Sequence, residues 1–107
     1  RAPARFRGEA TEPREGLRSG HIPGSRNLHF QTLLTQAGTM KPVEELRQAF
    51  EAAGVDLAKP AITTCGSGVT AAVLSLALER IGHRQHSLYD GSWSEWGMYD
   101  GMKVETG

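Results

Sequence analysis

At 107 residues the chain has room for one domain with a single modest core. Twelve basic and twelve acidic side chains balance, which argues against a nucleic-acid or membrane-surface binder driven by a broad field of charge. A lone cysteine excludes an internal disulfide and fits a reducing compartment. With no signal peptide, transmembrane run or lipidation motif in view, the expectation is a soluble, cytoplasmic protein.

Positive charge is unevenly spread. Six of the twelve basic residues fall within the first 26 positions, and all six are arginines: Arg1, Arg5, Arg7, Arg14, Arg18 and Arg26. Arginine suits bidentate recognition of carboxylates and oxyanions, although Glu9, Glu12 and Glu15 are near enough in sequence to pair with several of them. The stretch 1–27 carries three prolines and four glycines and shows neither helical nor strand periodicity, so it reads as an ordered loop or mobile arm. Gly20-His21-Ile22-Pro23-Gly24 is a turn anchored by Ile22.

Asn27 to Phe30 can form a very short strand, followed by one or two helical turns over Gln31 to Leu34. Pro42 then opens a helix: proline suits the first helical position, and Glu44 and Glu45 favour the first turn. Val43, Leu46, Phe50 and Ala53 line one face, and Gly54 ends it. Pro60 to Thr64 reads as a short buried strand. Val69 to Ile81, thirteen mostly apolar residues followed by Gly82, reads as a buried helix with a glycine cap. Gln85 to Tyr89 is another short strand, Asp90-Gly91 a turn, Trp93 and Trp96 packing residues, and the Gly/Met-rich tail from Gly97 weakly held. His83 and His86 are expected to be solvated.

Alternating strands and helices predict an α/β fold with a parallel sheet covered on both faces. Such a sheet needs more strands than are visible, so the chain is expected to be a fragment or to have lost its first strand.

Cys65 sits where a strand ends and a helix begins, within Thr64-Cys65-Gly66-Ser67-Gly68-Val69-Thr70. A lone cysteine is most often a small buried hydrophobe. The glycines at 66 and 68 tip the balance, because they let the backbone curl so that several N–H groups converge, aided by the helix dipole. A thiol there should ionise more readily than an ordinary cysteine, whose pKa is about 8.5. Metal binding is not expected: there is no second cysteine and no histidine at ligand spacing. No cofactor is called for.

These residues resemble a known family. Cys65-Gly66-Ser67-Gly68-Val69-Thr70-Ala71-Ala72 is similar to the active-site loop of 3-mercaptopyruvate sulfurtransferases of the rhodanese superfamily. Arg5-Phe6-Arg7-Gly8 with Glu12-Pro13-Arg14, Gly20 to Gly24, and Tyr89-Asp90-Gly91-Ser92-Trp93 with Glu95-Trp96 agree in the expected order. The resemblance implies a single rhodanese-like catalytic domain over residues 1–107, the C-terminal half of a two-domain enzyme. It implies ping-pong sulfur transfer, with Cys65 taking sulfur from 3-mercaptopyruvate as a persulfide and passing it to a thiol such as thioredoxin, or to cyanide. Gly66, Ser67, Gly68, Val69 and Thr70 would form the persulfide loop, Ser67 a hydroxyl partner to the thiol, and Arg5 and Arg14 the carboxylate site. The remaining relay His and Asp would come from the preceding rhodanese-like domain, and His21 would belong to a structural turn.

Three other readings stay open. Thiosulfate-specific relatives carry basic residues after the cysteine, whereas Gly66 and Ser67 are uncharged. A non-catalytic sulfur-carrier or binding module would leave the cysteine inert. A cysteine phosphatase needs an arginine closing its loop, and none follows Cys65 before Arg80.

Overall fold

The computed structural model describes residues 1–66 and 70–107. In chain order these form helix α1 (Pro3–Arg7), a 3₁₀ turn (Phe30–Leu33), helix α2 (Val43–Ala52), strand β1 (Ala61–Thr63), helix α3 (Ala71–Arg80), strand β2 (His86–Leu88) and helix α4 (Ser92–Trp96). β1 and β2 run parallel, with Ala61 opposite His86 and Thr63 opposite Leu88. Parallel neighbours need a crossover, and α3 supplies it, packing on both strands.

The core lies between α2, α3 and the 3₁₀ turn. Leu33, Leu46, Phe50, Ala77, Leu78 and Ile81 are buried together there. Leu46 and Phe50 are the i and i+4 positions of α2 and point the same way. Val43 begins the helix as expected but is exposed. α3 is shorter than the 69–81 expectation and is not buried all round. Leu76 is 52% exposed, and its inner face is carried by Ala71, Ala77 and Leu78. Gly82 caps it at φ 85°, in the left-handed region where glycine carries no Cβ penalty.

The sheet is covered on one face only among the described residues. Thr63 points toward α3, its hydroxyl 2.8 Å from that of Ser75. Ile62, pointing the opposite way as alternation requires, is 74% exposed. The short strand expected over 27–30 does not form: these residues lead into the 3₁₀ turn instead.

The N-terminal third is more ordered than its composition suggests. α1 forms where no helix was expected, with a proline in its first turn and Gly8 closing it. In the 20–24 turn the buried residue is His21 rather than Ile22. His21 stacks on Phe6, with ring centroids 3.8 Å apart, and its ring nitrogens lie 2.7 Å from the Phe6 carbonyl and 3.1 Å from the Glu105 carboxylate.

The tail from Gly97 is likewise held, against expectation. The Arg18 guanidinium donates to the carbonyls of Trp96, Gly97, Tyr99 and Met102. His21 and Glu105 exchange backbone hydrogen bonds of 2.9 Å. Gly20 permits that approach, since a Cβ there would sit 2.6 Å from the Glu105 carbonyl oxygen. His83 and His86 are partnered too, the first to the Lys59 carbonyl and the second to the Glu79 carboxylate, each at 2.7 Å.

Phe50→Ala should cost about 3–5 kcal/mol in chemical denaturation. Ile62→Ala, on the open face, should change stability by no more than about 0.5 kcal/mol.

Candidate active site

Cys65 lies two residues beyond the end of β1, at the carboxyl end of the sheet, where open α/β folds place their ligands. Its position is fixed from across the fold by the start of α4. The Cys65 N–H donates to the Ser92 hydroxyl at 3.1 Å. The Trp93 N–H donates to the Cys65 carbonyl at 2.9 Å, and the Ser94 N–H to the Gly66 carbonyl at 2.8 Å. Three bonds thus strap the cysteine segment to one helical turn.

Ser92 is the pivot of that strap. It is fully buried and sits at φ 52°, a left-handed conformation uncommon outside glycine. Its hydroxyl donates to the Tyr89 carbonyl at 2.9 Å while accepting from the Cys65 amide and from the Thr64 hydroxyl at 3.2 Å. Sequence reasoning passed over Ser92. The Asp90-Gly91 turn before it was legible, but the conformation that aims the hydroxyl is set by tertiary contacts.

Nearby, the Tyr89 hydroxyl donates to the Glu95 carboxylate. That bond holds the Tyr89 phenol up to about 12, because ionisation would break it and set two negative charges side by side.

The thiol itself is 1% exposed. It lines a cavity of about 30 Å³, room for little more than a water molecule. The cavity wall is mixed: Phe6, Ile22, Leu28, Leu74 and Trp93 are apolar, while Arg1, His21, Asn27 and Thr64 bring polar groups. Trp93 is a packing residue, as expected, and its indole N–H donates to the Arg18 carbonyl at 2.8 Å.

A larger cleft, about 300 Å³, lies beside this cavity. Arg5, Arg14, Gly66 and Thr70 all line it, together with Arg1, Leu17, His29, Phe30 and Ser94. Four of the residues singled out from sequence therefore share one space. Cys65 is not part of that lining; its neighbour Gly66 is. Among the described residues neither Arg5 nor Arg14 pairs with an acidic side chain. Ser67, Gly68 and Val69 lie outside the described residues.

Arg1 belongs to both the cavity and the cleft, and sequence reasoning did not single it out. Its guanidinium lies 2.8 Å from the Glu12 carboxylate and 4.9 Å from the centroid of the Trp93 ring, as a cation–π contact. Burial pushes the Arg1 guanidinium below its ordinary range, with Glu12 and Cys65 opposing that shift. No group of three or more His, Cys, Asp or Glu side chains among the described residues is placed to hold a metal. Nor is any described helix long and apolar enough to cross a membrane.

Residues 1–99 match the family described as the Rhodanese-like domain. The chain belongs to this family. As a rhodanese-like domain it is 50% identical over 105 residues to 3-mercaptopyruvate sulfurtransferase of Escherichia coli K12, covering 98% of this chain and 37% of that protein. It is 43% identical over 106 residues to the mitochondrial thiosulfate/3-mercaptopyruvate sulfurtransferase 1 of Arabidopsis thaliana, covering 99% of this chain and 28% of that protein. Among solved structures it is similar to Tum1 of Saccharomyces cerevisiae, with a TM-score of 0.86 at 35% identity, covering 99% of this chain and 38% of that one. The rhodanese-like chain thus spans about a third of the length of these relatives.

Ser92→Ala should lower stability by about 1–3 kcal/mol, the cost of leaving the buried Cys65 amide without its acceptor. Hydrogen exchange at that amide should quicken. In Glu95→Gln, the Tyr89 titration followed at 295 nm should fall from about 12 toward the ordinary tyrosine value of about 10.

Proposed function

We propose that this domain transfers sulfur from 3-mercaptopyruvate to a thiol or cyanide acceptor, with Cys65 carrying it as sulfane sulfur in a persulfide. The observation that carries this reading is the cleft in which Arg5 and Arg14 share one space with Gly66 and Thr70, the described flanks of the cysteine loop. Two guanidinium groups with no acidic partner among the described residues give an α-keto carboxylate a bidentate anchor, and each charge-assisted hydrogen bond is worth about 1.5–3 kcal/mol net. That anchor points the far end of a three-carbon acid toward the loop.

In the first half-reaction the Cys65 thiolate attacks the donor sulfur. The S–S bond forms as the donor's C–S bond breaks, and the electron pair leaves as the enolate of pyruvate, which takes up the proton the donor thiol surrenders. In the second half, an acceptor thiolate attacks the outer sulfur and the Cys65 thiolate departs. Covalent catalysis of this kind replaces one difficult transfer by two easier ones. The anionic persulfide would be met by main-chain N–H groups of residues 66–70, as in other anion nests. Ser67 would serve as the hydroxyl partner of the thiol, its relay completed by a His and Asp from a preceding rhodanese-like domain. Thioredoxin is the thiol acceptor proposed, and the cytoplasm its setting.

Thiosulfate is the second donor to test, because the Arabidopsis relative carries both donors in its name. The neutral Gly66-Ser67 pair offers little attraction for a dianion and favours mercaptopyruvate. Steady-state rates with the two donors decide between them, and a clear preference for thiosulfate would overturn the assignment.

Arg5→Ala and Arg14→Ala should each raise KM for mercaptopyruvate while leaving alkylation of Cys65 by iodoacetamide largely unchanged. An unaltered KM in both would reject the carboxylate site. Cys65→Ser should abolish turnover.

A further inference from the structure

We infer that Arg1, braced by Glu12, is a positioning residue that holds a buried positive charge behind Cys65 and thereby favours its thiolate. This inference rests on the sulfur-transfer reading only in the use made of that thiolate. Arg1 is gripped far more thoroughly than a solvated arginine needs. Its side chain is 7% exposed and that of Glu12 4%. The guanidinium donates to Glu12 and to the Gly20 carbonyl and lies over the Trp93 ring. Its backbone carbonyl accepts from the Asn27 amide at 3.0 Å and faces the His29 imidazole at 3.2 Å.

Burying an ion pair is a weak way to gain stability, because desolvation offsets the attraction. A fixed charge beside a thiol gives such a pair a purpose. Arg1 lines the same small cavity as Cys65, where little water can screen it. The other charged or titratable groups of that cavity are His21 and Arg26. His21 is committed to Phe6 and Glu105, and Arg26 is exposed and lies against Gly54. Arg1 is therefore the buried guanidinium among the residues that line the cavity with Cys65. Arg5 is the nearby like charge that opposes it, and Glu12 the carboxylate that tempers it.

The test is the pH dependence of Cys65 alkylation by iodoacetamide. Arg1→Gln should raise the thiol midpoint by about one pH unit, and Arg1→Lys should restore much of the shift. Glu12→Gln, which leaves the guanidinium uncompensated, should move the midpoint the other way. An unshifted midpoint in Arg1→Gln accompanied by a lower Tm would make Arg1 a structural staple and overturn the inference. Should Arg1→Gln not fold, an unchanged or raised midpoint in Glu12→Gln would overturn it equally. Alkylation needs no sulfur donor, so failure of sulfur transfer with these shifts intact would reject the proposed reaction alone.

Discussion

The Ser92 hydroxyl is the joint on which the site depends. A buried main-chain amide must find an acceptor, and for Cys65 that acceptor comes from a residue 27 positions later in the chain. The same hydroxyl donates to the Tyr89 carbonyl, closing the β2–α4 turn, and accepts a hydrogen bond from the Thr64 hydroxyl. One oxygen thus ties the end of β1, the turn after β2 and the start of α4 into a single unit. The cost is a left-handed backbone at a non-glycine residue, which the surrounding contacts must over-determine to keep.

Around that joint the arginines divide into different tasks. Arg18 spends its guanidinium on four main-chain carbonyls of the tail, and Arg7 pairs with Glu9 at the surface. Arg1 is buried against Glu12 and Trp93, whereas Arg5 and Arg14 line the cleft without acidic partners among the described residues. Net charge says nothing of this division. It follows from which guanidinium groups the fold removes from water and which it leaves lining the cleft.

Local signals made much of this legible in sequence. Pro42, Glu44 and Glu45 mark the start of α2, and the spacing of Leu46 and Phe50 gives its buried face. Gly82 marks the end of α3, and the position of Cys65 between β1 and α3 follows from the apolar runs on either side. Arg5 and Arg14 were named from resemblance rather than from any periodicity.

What escaped is long-range. α1 is five residues, too short to show a helical period, and Pro3 and Gly8 were its only cues. Ile62 reads in sequence as part of a buried strand because an apolar β-branched residue gives no hint that one face of its sheet is open. The tail looked loose because its anchors, Arg18 and His21, lie 78 to 84 positions away from their partners.

That separation has a consequence for how the domain is made. His21, which lines the cavity of the cysteine, and Arg18, which holds the neighbouring Trp93, cannot complete their contacts until Trp93 and Glu105 have left the ribosome. Loop closure on this scale is entropically slow and comes late. A nascent chain would therefore assemble the α2–α3 core first and carry an open, unbraced thiol until the segment from Trp93 to Glu105 arrives.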